Sequence, residues 1–304
     1  MHQCSGPEAL LAIYILTFVI GLPTNCLAFH SFSKKVLINP TPMKILMLNL
    51  TSSDLLFLLF LPLKMYEASC GIRWYLPKIL CSITSFVFFT TIYTSSLLLM
   101  AVSVDRYLGV AFPIPYRQMR KPHYAIAGGA FIWFLTASHC GSIVFVTEHV
   151  LANTSININV CYENFTAEQR QFLLPMRLEF FVVLCFVPLL ICVFCYINCI
   201  RILYSQPRIS WQKKRKAIGM AVGTLTIFLV CFLPYNSAHV VGFITKESPR
   251  WRYYALLLST FNTCLDPIIF YFLSTTYRNT TKHSLFRILR LIKSDQYSTK
   301  IIQA

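Results

Sequence analysis

Apolar residues in this chain run in long blocks instead of alternating with polar ones. Seven blocks stand out on a membrane-length window: residues 8–32, 43–65, 78–110, 124–146, 172–204, 217–244 and 251–273. A hydrocarbon core of about 30 Å needs roughly 20 helical residues to cross it, and every block supplies them. The spacers are short and hold most of the Lys, Arg, Pro and Asn. The pattern predicts an all-α membrane protein, a seven-transmembrane helix bundle over residues 1–273. Beyond it, Leu285, Phe286, Leu289 and Ile292 recur at helical spacing, interleaved with Arg278, Lys282, Arg287, Arg290 and Lys293. That describes a short amphipathic helix on the membrane surface, so residues 274–304 read as that helix and a short tail. No cysteine follows Cys264, which leaves the tail without a palmitoyl anchor.

Composition supports the same class. The 304 residues are 56% hydrophobic and 12% charged, about half the charge of a soluble domain, and the mean hydropathy is +0.59. Met1-His2-Gln3-Cys4 lacks a basic start, and the first apolar run is too long for the core of a signal peptide. The net charge of +16 would point to nucleic acid in a soluble protein. Here the cations fall into loops, so topology explains them and no nucleic-acid partner is expected. With the N-terminus outside, nineteen Lys and Arg fall on the inner side and eight on the outer. The positive-inside rule then puts the C-terminus in the cytoplasm and the protein in the plasma membrane as a multi-pass chain. Two glycosylation sequons, at Asn153 and Asn164, fall in the loop this topology places outside.

The block from Cys81 to Pro113 organises the rest. It opens with a cysteine and closes on Asp105-Arg106-Tyr107. At about 1.5 Å per residue the two ends lie roughly 36 Å apart, on opposite membrane faces. An Asp105–Arg106 ion pair is expected at the inner end. Cys161 lies in the same outer region as Cys81; the two could pair or stay as thiols. Cys4 and Cys70 leave a second bridge open. The Cys192–Cys195 pair has redox spacing but apolar surroundings, and reads as core packing.

Ionisable groups inside a membrane are functional candidates by default. Asp54 sits midway down the second block and Asp266 low in the seventh, with Asn25, Asn49, Ser95 and Asn262 able to reach the same interior. This set could hold a sodium ion or waters, or only fix helix packing.

Asn25, Asp54, Asp105-Arg106-Tyr107, Trp133, Pro188, Pro234 and Asp266-Pro267 touch every block, and together they resemble the landmark pattern of rhodopsin-like G-protein-coupled receptors. Two departures stand out: Phe232 occupies a place where many members carry tryptophan, and Asp266-Pro267-Ile268-Ile269-Phe270 replaces Asn-Pro-x-x-Tyr. The resemblance implies a receptor, not an enzyme. It also implies a Cys81–Cys161 disulfide, a G-protein switch at Asp105, Arg106 and Tyr107, and heterotrimeric G protein, arrestin and membrane lipid as partners. Residues 84–93 hold no acid for an amine ligand, and residues 251–273 hold no lysine for a retinal Schiff base.

The outer halves carry cations instead. Arg177 lies one to two turns inside the fifth block, Arg252 opens the seventh, and His139 and His239 sit in the fourth and sixth. A guanidinium fork matches a carboxylate, so the ligand is expected to be an anion. The segments Trp74-Tyr75-Leu76-Pro77-Lys78, Cys161-Tyr162-Glu163-Asn164-Phe165, Leu174-Pro175-Met176-Arg177-Leu178-Glu179, Pro234-Tyr235-Asn236-Ser237-Ala238-His239 and Ser248-Pro249-Arg250-Trp251-Arg252 are similar to the free fatty acid receptors, nearest the short-chain members. That resemblance implies that Arg177, Arg252 and His239 hold a short-chain fatty acid carboxylate, with His139 and Tyr93 contributing and with Tyr235, Tyr162 and Glu163 around them. Acetate, propionate and butyrate are the expected ligands, with signalling through G proteins of the Gi/o and Gq classes. A larger anion is the alternative within the fold, and a carboxylate transporter is the alternative outside it.

Overall fold

The computed structural model describes residues 5–147, 161–162, 165–207 and 209–273, and everything described below lies within them. The chain forms helices α1 (Ser5–Ile38), α2 (Pro42–Ser69), α3 (Lys78–Ala111), α4 (Pro113–Met119), α5 (Pro122–Phe145), α6 (Ala167–Phe180), α7 (Val187–Ser205), α8 (Trp211–Thr226), α9 (Leu233–Thr245), α10 (Arg252–Thr260) and α11 (Asn262–Leu273). There is no strand among the described residues. A wide π-helical turn, Phe181–Phe186, joins α6 to α7, and a second, Ile227–Phe232, joins α8 to α9. Six helical stretches are long and apolar enough to cross a membrane. The seventh segment is not one helix as the apolar block predicted: it is α10 and α11, broken at Phe261.

The helices overrun the apolar blocks. α1 continues to Ile38, α2 to Ser69, and α8 begins at Trp211, because lysine- and arginine-rich sequence is a good helix former once the apolar part has nucleated the turn. The fifth span starts at Ala167, five residues before its apolar block. Thr166 Oγ1 accepts from the Gln169 backbone N–H, and Gln169 Oε1 accepts from the Thr166 N–H, a reciprocal cap that satisfies two helix-end donors.

α3 is the pillar. In its most apolar stretch 78% of residues are buried inside the protein, against 28% for α1. Small hydroxyl residues let its neighbours approach closely. Thr94 bonds Thr136 of α5 at 2.7 Å, Ser95 donates to Ser53 of α2 at 3.2 Å, and Ser103 donates to Cys192 of α7 at 3.3 Å. The Cys192 and Cys195 thiols are buried there, as packing.

Prolines sit within or beside these helices. A proline removes an N–H and leaves a carbonyl one turn earlier without its partner. Two such carbonyls are taken up by side chains of other helices. Ser96 donates to Leu184 O at 2.8 Å, four residues before Pro188. Asn25 donates to Thr263 O at 2.8 Å, four before Pro267. Near Pro234, in the wide π-helical turn, Ser259 also donates to Cys231 O at 2.9 Å.

Candidate anion-binding cavity and polar core

At one end of the bundle a disulfide joins Cys81 at the start of α3 to Cys161, with Cα atoms 5.6 Å apart. It holds the described pair Cys161 and Tyr162 against α3, where Ser85 Oγ lies 3.7 Å from the Cys161 sulfur. Tyr162 adopts a left-handed backbone (φ 56°), uncommon for a residue with a side chain, and its ring is buried against Phe89 and Phe165. Burial pushes the Tyr162 phenol above its usual range, with Arg177, Thr147 and Arg252 acting the other way. The phenol is therefore neutral there and able to donate.

Under this cap lies a cavity of about 300 Å³ of empty space, part of it open outward, lined by Phe89, Tyr93, Cys140, Ile143, Tyr162, Arg177, Phe180, Tyr235 and His239. One wall is apolar. Arg177 and His239 carry its positive and titratable character, both buried at 5% and 2% exposure. Tyr93 Oη donates to Asn236 Oδ1 at 3.2 Å and lies 3.2 Å from His239 Nε2. The Tyr235 ring meets His239 edge-on at 4.7 Å. Arg177 Nη1 donates to Ser248 Oγ at 3.1 Å, and its guanidinium stands over Phe165 at 5.3 Å. Two atoms of this cluster, Arg177 Nη2 and His239 Nδ1, are buried with no hydrogen-bond partner. Among the described residues no carboxylate pairs with Arg177. Arg252, buried at the start of α10, is within electrostatic range of Tyr162 and Tyr93.

Of the five residues expected around a carboxylate, Arg177, His239 and Tyr93 meet at one cavity, and Arg252 stands beside them. His139 does not line it. Its Nδ1 donates to Leu135 O at 2.9 Å, its Nε2 lies 3.3 Å from Glu179 Oε1, and its ring rests on Phe180, which is itself the cavity wall. The acid two residues after Arg177 turns the imidazole away. Tyr235 and Tyr162 line the cavity as expected; Glu163, Asn153 and Asn164 lie outside the described residues. The sequence reading missed Asn236 and Ser248. A polar residue one helical turn before His239 was the available signal for the first; nothing local marked the second.

Midway along the bundle Asp54 and Asp266 are buried at 1% and 0% exposure, near enough to feel each other's charge. None of their four oxygens meets a donor in hydrogen-bonding geometry. Ser95 turns to Ser53, and Asn262 is buried beside the Phe261 break. Oxygen-only donors of this kind fit a hard cation.

At the far end of α3 the expected Asp105–Arg106 pair gives way to another. Asp105 accepts from Tyr116 Oη at 2.6 Å and pairs with Arg120 at 3.2 Å. Burial and this bond both push the Tyr116 phenol up. Arg106 is left with Nε unpartnered, and Tyr107 packs edge-on to Phe112 and Phe194. Consecutive helical residues point apart by about 100°, whereas the turn into α4 brings Tyr116 and Arg120 back under the carboxylate.

Comparison with known proteins agrees with this architecture. The model of the seven-transmembrane receptors of the rhodopsin family matches residues 24–270. The chain belongs to that family. Free fatty acid receptor 3 of Mus musculus is 46% identical over 283 residues, covering 92% of this chain and 87% of the relative. Free fatty acid receptor 2 of Mus musculus is 44% identical over 273 residues, covering 88% and 82%. Free fatty acid receptor 3 of Homo sapiens is 45% identical over 282 residues, covering 91% and 80%. As a rhodopsin-family receptor, this chain is a multi-pass membrane protein that couples to G proteins, and not an enzyme.

Proposed function

We propose that this receptor is activated at the plasma membrane by short-chain carboxylates: acetate, propionate and butyrate. The observation that carries the reading is a buried guanidinium, Arg177, that ends in an apolar cavity with one N–H group unpartnered and no acid beside it among the described residues. A carboxylate supplies the missing charge. Its short tail meets Phe89, Cys140, Ile143 and Phe180. The similarity to proteins named as free fatty acid receptors points the same way.

A ceiling of about 1.5 kcal/mol per heavy atom gives roughly 6 kcal/mol for acetate and 7.5 for propionate. Those limit dissociation constants to about tens of micromolar and a few micromolar. Responses are expected at high micromolar to millimolar ligand.

In this reading the disulfide end faces outside with the N-terminus, and the Asp105 end faces the cytoplasm. Ligand bridging of α6, α9 and α10 biases the proline-bearing sixth span towards an open cytoplasmic cleft. That cleft takes G proteins of the Gi/o and Gq classes, and arrestin. Asp54 and Asp266 hold a sodium ion through their oxygens, with Ser95 and Asn262 at hand. The basic run of α8 meets anionic lipid.

The test is G-protein activation in cells expressing wild type and Arg177→Ala, titrated with propionate, with surface expression measured in parallel. Loss of the response in a well-expressed mutant is expected. A silent, well-expressed wild type sinks the short-chain ligand.

A further inference from the structure

We propose that the cavity takes up a carboxylate together with one proton, which settles on Nδ1 of His239. The inference rests on the carboxylate reading above and adds the protonation state of the bound complex.

A backbone carbonyl sets the orientation of the Asn236 amide. Asn236 Nδ2 donates to Phe232 O at 2.9 Å. That bond fixes the amide, because only the NH2 end can face a carbonyl. Oδ1 is thereby turned to Tyr93, whose hydroxyl donates to it at 3.2 Å. A tyrosine hydroxyl has one proton. Having given it to Asn236, the Tyr93 oxygen can only accept from His239 Nε2, also at 3.2 Å. His239 therefore carries its hydrogen on Nε2. A neutral imidazole has one N–H, so Nδ1 is a bare lone pair. It is buried without a partner.

A carboxylate is an acceptor only, and a lone pair repels it. His239 can hold the ligand through Nδ1 only after that nitrogen gains a proton. The balance is simple. A carboxylate anion and a proton from water become a carboxylate hydrogen-bonded to imidazolium. Equivalently, the undissociated acid enters and its O–H proton passes to Nδ1. No other bond breaks.

The groups around His239 fit this. Tyr93 faces it from α3, Cys140 from α5, Tyr162 from the capping loop and Arg177 from α6, with Tyr235 on its own helix. Arg252 stands behind Tyr93 and Tyr162. None of these is an acid. Arg177 is the charged group that faces the ring; the arriving carboxylate brings the counter-charge that lets the imidazole protonate.

Calorimetry tests this on the full-length receptor in lipid nanodiscs. Propionate is titrated in two buffers of different protonation enthalpy, and the affinity is followed with pH. Uptake of about one proton is expected, with Kd rising about tenfold per pH unit where the free ring is neutral and the bound ring is charged. In Asn236→Leu the Tyr93 hydroxyl is free to donate to Nε2, which moves the His239 hydrogen to Nδ1; whatever the change in affinity, the protons taken up per propionate bound should fall towards zero. Tyr93→Phe removes the same constraint by a second route. Propionate binding without proton uptake in the wild type overturns the proposal, because the ligand then takes Nε2 directly. So does uptake that persists in both variants, because the proton then goes elsewhere. Absence of propionate binding at every pH, in a folded receptor, sinks the carboxylate reading itself and this inference with it.

Discussion

At the disulfide end, Arg177 and His239 are buried with an unpartnered nitrogen each, whereas midway down the bundle Asp54 and Asp266 bury four carboxyl oxygens that meet no donor. The two regions leave polar atoms open at groups of opposite charge. Elsewhere buried or half-buried acids are answered locally: Asp105 by Tyr116 and Arg120, Glu179 by His139, and Glu67 by Lys64 at 2.8 Å. Removing the partner of a buried charge costs several kcal/mol, which is why these two places carry the proposed ligand sites. In the proposed reading the sign of the group decides the occupant: an anion at one end, a cation or proton in the middle.

Reversing the sign at the cavity should have the largest effect. Arg177→Glu sets an acid facing the ligand, and propionate activation should fall by more than about 100-fold with surface expression retained, on the scale of 2–5 kcal/mol for a lost buried charge pair. Arg177→Lys should recover only part of it, because an ammonium lacks the planar fork. In the middle of the bundle, raising sodium should lower propionate potency several-fold in the wild type. Asp54→Asn should flatten that dependence while the cavity residues stay unchanged. Ser248→Ala removes the neutral acceptor of Arg177 Nη1 and should cost about 1 kcal/mol, roughly fivefold in EC50, with Ser248→Thr restoring most of it. His139→Ala sharpens the boundary of the cavity. A residue bound to Glu179 behind Phe180 should shift EC50 by less than about threefold, at the level of a surface ion pair. A loss as large as that of Arg177 would bring His139 back into the site.

The seven apolar blocks were legible because lipid demands about 20 apolar residues per crossing and little else has that length. Arg177 and Arg252 were legible as candidates because cations inside a membrane are rare, and the structure buries both. The rest depended on relations that a linear chain does not display. Asp105 sits beside Arg106 in sequence, yet its partners come 11 and 15 residues later, after a turn that the block pattern cannot describe. His139 and His239 look alike as lone histidines in apolar helices; only the position of Glu179 separates them. The break at Phe261 lies inside a continuous apolar run, where one helix was the natural reading. The Thr166–Gln169 cap was visible as a Thr-x-x-Gln signature and would have moved the start of the fifth span to its observed place.

The three carbonyls near Pro188, Pro234 and Pro267 that accept from other helices have a consequence for movement. Each is fastened to another helix by one side-chain hydroxyl or amide, from Ser96, Ser259 and Asn25. A clasp of this kind can unhook and re-engage one turn away while the helix keeps its own ladder intact. The spans that bend are then the spans that are stitched to their neighbours by removable threads, and the stitches lie between the cavity and the Asp105 end of the bundle. Ser96→Ala, Ser259→Ala and Asn25→Ala each cut one thread without touching either end, so each should alter how firmly the two ends are mechanically geared to one another.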